Sequence, residues 1–173
     1  MIIKNNLHLI YLLQRNILNF LIIMVFFFFQ MSLNFLTIFS ISQPYLMVIC
    51  LFLLIRNSEN PPSGITLILL GIIYDLITGT HLGVHSLFFL LIRLFSVFYE
   101  NNFNISKKYG EWILFTIVYS KVLILVKLIF LLTIFKIPDL FSISFNLGCT
   151  LLFFPIIKFL YDLPKNVLRF FYG

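Results

Sequence analysis

The residues best placed to do chemistry lie inside a very apolar sequence, in the stretch Gly71-Ile-Ile-Tyr-Asp75-Leu-Ile-Thr-Gly79-Thr-His-Leu-Gly83-Val-His85. Gly71, Asp75, Gly79 and Gly83 recur every fourth residue, which sets an acid among glycines. A carboxylate in hydrocarbon is costly, so its presence needs a physical reason. Three readings stay open: a proton or ion relay, a contact to a ligand or partner helix, and an internal ion pair or cap. Lys127 is expected at nearly the same depth on another helix, so an Asp75–Lys127 ion pair is the favoured partnership. Gly71 is expected to allow a neighbouring backbone to approach. Gly79 and Gly83 are expected to serve a turn that needs positive φ. His81 and His85 have the i, i+4 spacing that can bind a metal on a helix. No Glu lies between them and Asp75 is the only nearby third ligand, so interfacial hydrogen bonding is expected and a metal is not.

The other intramembrane charges have milder explanations. Arg93 and Lys158 are expected near helix ends, where their stems let the charged heads reach the interface. Lys121 lies deeper and is expected to share a polar contact with Tyr119 or Ser120. No paired carboxylate, nucleophile with its base, phosphate-cradling loop or dinucleotide fingerprint is present in the sequence. The expectation is a protein that is not an enzyme and uses no cofactor. Cys50 and Cys149 both lie in apolar runs and read as buried small hydrophobes.

The elements that must position these residues are membrane helices. Of 173 residues, 61% are hydrophobic and 10% charged, whereas soluble domains carry roughly a quarter charged residues. Mean hydropathy is +1.08. The fold class expected is all-α, a single polytopic membrane domain. A spanning helix takes about 20 apolar residues, which places six: 17–36, 39–55, 62–78, 82–99, 111–135 and 140–161, the last interrupted by Pro155. Residues 1–16 and 162–173 are then terminal segments, and the first span is an uncleaved helix rather than a signal peptide. Five spans, with the second and third forming a re-entrant pair, is the rival count. On the six-span reading, Lys4, Arg15, Arg56, Lys107, Lys108, Lys165 and Arg169 fall on one side and Lys136 alone on the other. That asymmetry puts both termini in the cytoplasm and attributes the net charge of +6 to topology, not to nucleic-acid binding. Ala is absent and Phe occurs 23 times, so close helix contacts must use Gly, Ser or Thr.

From Gly71 to Ser86 the chain resembles MreD, the rod shape-determining membrane protein family of bacteria. The matching residues are Gly71, Asp75, Leu76, Gly79, Leu82, Gly83 and His85, and Pro44 opening a helix that ends at Arg56 also fits. The specific likeness covers residues 44–88; beyond it only hydropathy and length agree. The resemblance implies a non-enzymatic scaffold of the cell-elongation machinery in the cytoplasmic inner membrane. Its implied direct partner is MreC, with MreB, RodA and a class B penicillin-binding protein engaged indirectly. The family also resembles in architecture the six-helix substrate-binding subunits of energy-coupling-factor vitamin transporters. Vitamin uptake is therefore the alternative function.

Overall fold

A computed structural model describes residues 19–33, 44–58, 61–102, 110–134 and 140–172. These residues form six helices and no strand: α1 (Asn19–Leu33), α2 (Leu46–Asn57), α3 (Gly64–Thr78), α4 (Val84–Asn102), α5 (Gly110–Ile134) and α6 (Leu140–Tyr172). By length and apolar character α4, α5 and α6 can each cross a membrane, whereas α1, α2 and α3 are shorter apolar helices.

The shortest helix sits at the centre. α2 is apolar around its whole circumference, and every residue from Leu46 to Ile55 is buried. A helix with no polar face has to be enclosed by others. α2 packs on α4 and α6, while α3 packs most extensively on α4, which in turn contacts α5. Phenylalanine fills the space between layers. Phe52 of α2 meets Phe115 of α5 edge-on at 5.2 Å, and Phe115 stacks on Phe154 of α6 at 4.8 Å. Enclosure also requires α2's first N–H groups to find acceptors, since a helix start leaves four unpaired. Gln30 of α1, itself fully buried, supplies one: its Oε1 accepts from Leu46 N–H at 2.7 Å and Met47 N–H at 3.4 Å. Thr150 of α6 accepts from Tyr45 N–H at 3.1 Å.

Local chemistry explains both ends of α3. Ser63, following Pro61-Pro62, caps α3 by accepting from Thr66 N–H. Gly79 ends α3 in the left-handed conformation, φ +67°.

Several boundaries differ from the sequence reading. Helix α2 begins at Leu46, so Pro44 precedes the helix and does not lie within its first turns; residues 39–43 of the expected span lie outside the described residues. The sixth helix is not interrupted at Pro155 and does not give way to a tail at Asp162, but continues to Tyr172. Proline has no N–H to donate to the carbonyl four residues back, which here is Leu151. The Trp112 indole Nε1–H of α5 donates to that carbonyl at 3.3 Å. A tertiary contact thus replaces the bond that Pro155 deletes.

Candidate functional site

Asp75 occupies the last turn of α3 and is fully buried. Its backbone carbonyl accepts from the N–H groups of Gly79 and Thr80, which closes α3. Its carboxylate reaches over the turn to open α4. Oδ2 accepts from Gly83 N–H at 2.7 Å, and Oδ1 accepts from His85 N–H at 3.3 Å and the Thr80 hydroxyl at 2.8 Å. The His85 ring completes the set, with Nδ1 2.5 Å from Oδ1. An ionised carboxylate only accepts, so Nδ1 carries the hydrogen in this arrangement. One residue therefore ends one helix with its main chain and caps the next with its side chain.

The acid is suited to this position for two reasons. Gly83 sits where a helix usually carries a capping side chain and has none to offer. The start of α4 also carries the positive end of the helix dipole, which favours a negative charge. Gly83 itself adopts φ +93°, a conformation that L side chains rarely enter. His85 is held from its other faces by Tyr74 at 4.3 Å and Tyr45 at 6.1 Å between ring centroids.

Gly71 closes the hairpin one turn further down. A Cβ built on it would lie 2.3 Å from the Cα and N of Ser86. The backbones of α3 and α4 are thus in direct contact, and the Ser86 hydroxyl donates to the Ile68 carbonyl at 2.9 Å across the same seam. Gly71, Asp75, Gly79, Gly83 and His85 all belong to one clasp that joins two antiparallel helices.

The partner expected for Asp75 is replaced. Among the described residues the ion pair of Asp75 is with His85, and none joins it to Lys127, which is exposed on α5. Depth in the membrane placed Lys127 level with Asp75 without deciding which way either side chain faces. Lys121 is likewise exposed; it donates to the Tyr99 hydroxyl of α4 and not to Tyr119 or Ser120. Tyr119 is fully buried and donates to Asn146 Oδ1 of α6. His81 is exposed, and the described residues hold no group of three His, Cys, Asp or Glu that could bind a metal ion.

A second polar cluster lies at the opposite end of the bundle. Glu111, in the first turn of α5, receives a hydrogen bond from Lys158 of α6 on Oε2. Its Oε1 lies 3.9 Å from Arg56 Nε of α2. Lys158, expected to reach for the interface, is tied to another helix instead. The cross-helix roles of Gln30, Thr80, Ser86 and Glu111 were not read from the sequence. For Thr80 and Gln30 the local signals were a hydroxyl beside a glycine turn and an amide in an apolar run. Comparison of the chain with protein families, with characterised proteins and with solved structures finds no match.

Proposed function

We infer that this chain is an MreD-like, non-enzymatic scaffold of the bacterial cell-elongation machinery, a six-span protein of the cytoplasmic membrane with both termini in the cytoplasm. The observation that carries the reading is the clasp. Five of the residues on which the resemblance rests, Gly71, Asp75, Gly79, Gly83 and His85, form a single structural unit, and its carboxylate is engaged by four donors within the chain. Such an acid is engaged in building a rigid hairpin, which is what a scaffold needs. The outward face of that hairpin is apolar, with Ile65, Leu69, Ile73 and Leu76 exposed along α3. A rigid apolar face of this kind can receive lipid or the single span of MreC. MreB, RodA and a class B penicillin-binding protein are then reached through MreC.

One observation favours the vitamin-uptake alternative. Gln30 Nε2 is buried without a hydrogen-bond partner, in a region that also holds Tyr119, Asn146 and Thr150. A polar ligand would supply the missing acceptor there. Depletion of the protein in its host, with recovery of a tagged copy in mild detergent, separates the two. Rounded cells with MreC in the recovered complex are expected. Unchanged cell shape with an ATPase module in the complex would establish uptake instead.

A further inference from the structure

We propose that the Arg56–Glu111–Lys158 cluster binds the phosphate of an anionic phospholipid headgroup. The inference is independent of the scaffold reading and rests on an imbalance in the cluster. Among the described residues two cations share one carboxylate. Lys158 holds Glu111 Oε2, and the remaining oxygen lies 3.9 Å from Arg56 Nε, beyond hydrogen-bond length. The Arg56 side chain is only 11% exposed, and its Nη1 is buried with no hydrogen-bond partner. A buried guanidinium normally has its donors satisfied, because desolvating it otherwise is expensive. Its fork of N–H groups matches the oxygens of a phosphate in pairs, which a point charge such as lysine does not do.

The two cations differ in exposure, so a headgroup would meet Lys158 first. Lys158 is the open side of the cluster, with 31% of its side chain exposed. Exposed apolar groups adjoin the cluster in sequence: Phe159 follows Lys158 in α6, and Trp112 follows Glu111 in α5. Tryptophan favours the bilayer interface, where its ring is half apolar and half wet. A phosphate at Arg56 and Lys158 therefore leaves its acyl chains against apolar side chains. Free phosphate shares the headgroup chemistry but has no use for that apolar margin. Asp162, half-buried one turn beyond Lys158, makes no ion pair with either cation among the described residues.

The test uses the full-length protein in mild detergent, titrated with phosphatidylglycerol, phosphatidylcholine or inorganic phosphate. Retention in native mass spectrometry and the thermal midpoint are read together. Phosphatidylcholine carries the same phosphate but adds a choline cation that Arg56 and Lys158 repel, so phosphatidylglycerol is expected to bind about tenfold tighter, and Arg56→Gln is expected to abolish that preference. Lys158→Gln weakens it several-fold, and Arg93→Gln, on α4 outside the cluster, leaves it unchanged. Glu111→Gln tightens phosphatidylglycerol binding, because it removes the carboxylate that faces both cations among the described residues; in a merely structural cluster it would leave lipid binding unchanged. Should Arg56→Gln fail to fold, Arg56→Lys keeps the charge without the fork and is expected to lose part of the preference. Equal binding of the two lipids, or a preference retained in Arg56→Gln, overturns the proposal. Competition by inorganic phosphate at the lipid's own concentration overturns the assignment to lipid.

Discussion

At the scale of single residues, Asp75 acts through hydrogen bonds that other helices usually obtain from a local serine or aspartate. Removing it leaves Gly83 N–H, His85 N–H and the His85 ring without their acceptor in a buried place. Loss of a cap costs about 1 kcal/mol, and each buried donor left unpaired adds about 1–3 kcal/mol. Asp75→Leu is therefore expected to lower stability by roughly 3 kcal/mol or more while still entering the membrane, measured by reversible denaturation in mixed micelles. Asp75→Asn keeps an acceptor oxygen and should lose less. Exchanging the charges of Asp75 and Lys127 is expected to recover nothing over the single reversal at Asp75, since Asp75 is paired with His85. Rescue by the exchange would restore the Asp75–Lys127 pair. Gly71 makes a second residue-scale prediction. Gly71→Ala forces a methyl to within 2.3 Å of Ser86 backbone, and overpacking of this kind costs about 1–3 kcal/mol. Gly148→Ala meets nothing within 4 Å. In mid-helix it should be neutral or stabilising by up to about 1 kcal/mol. The same unfolding assay compares the two.

At the scale of elements, two helices depend on groups outside themselves. The start of α2 is capped by Gln30 of α1, and where α6 passes Pro155 the orphaned Leu151 carbonyl accepts from Trp112 of α5. The second arrangement can be tested by a double-mutant cycle. Trp112→Phe is expected to cost about 1 kcal/mol in the wild-type background, the value of a typical net hydrogen bond. In a Pro155→Ala background the backbone N–H returns, and the same substitution should cost clearly less. Equal costs would show that the indole does not serve the broken bond. The α3–α4 turn shows the opposite case, in which the needed residues are close in sequence. Gly79 and Gly83 both have positive φ, and alanine at either is expected to cost about 1–2 kcal/mol.

At the scale of the whole molecule, the helices are arranged around an apolar α2 of 12 residues, about 18 Å long. That length is well short of a hydrocarbon core of about 30 Å, but a helix enclosed by others need not meet lipid. Its polar ends are served by neighbours: Gln30 and Thr150 at the start, and the Asn19 amide, which donates to Ser58, just past the finish. The proposed orientation makes a molecular-scale prediction. Cysteines placed near either terminus should be labelled by an impermeant reagent only after the membrane is opened. Labelling of intact cells at one terminus and not the other would require an odd number of spans.

Composition pointed to an apolar, helical chain, with 61% hydrophobic residues in long runs, and three of its helices are long and apolar enough to cross a membrane. Local spacing went further wherever partners are neighbours in sequence. The glycine turn, the close approach at Gly71 and the ends of α3 were readable because each depends on one backbone conformation or one missing Cβ. The start of α2 and the passage of α6 through Pro155 were not, since Gln30 and Trp112 act on them from other helices. Partners of charged groups were also beyond reach. Position along a helix gives the level of Lys127 or Lys158 but not the direction each side chain takes around its helix. Only the packed bundle decided that Asp75 belongs to His85 and the start of α4, that Lys158 belongs to Glu111, and that Arg56 is left with a donor to spare. These are relations between surfaces of different helices, and they exist only after those surfaces meet.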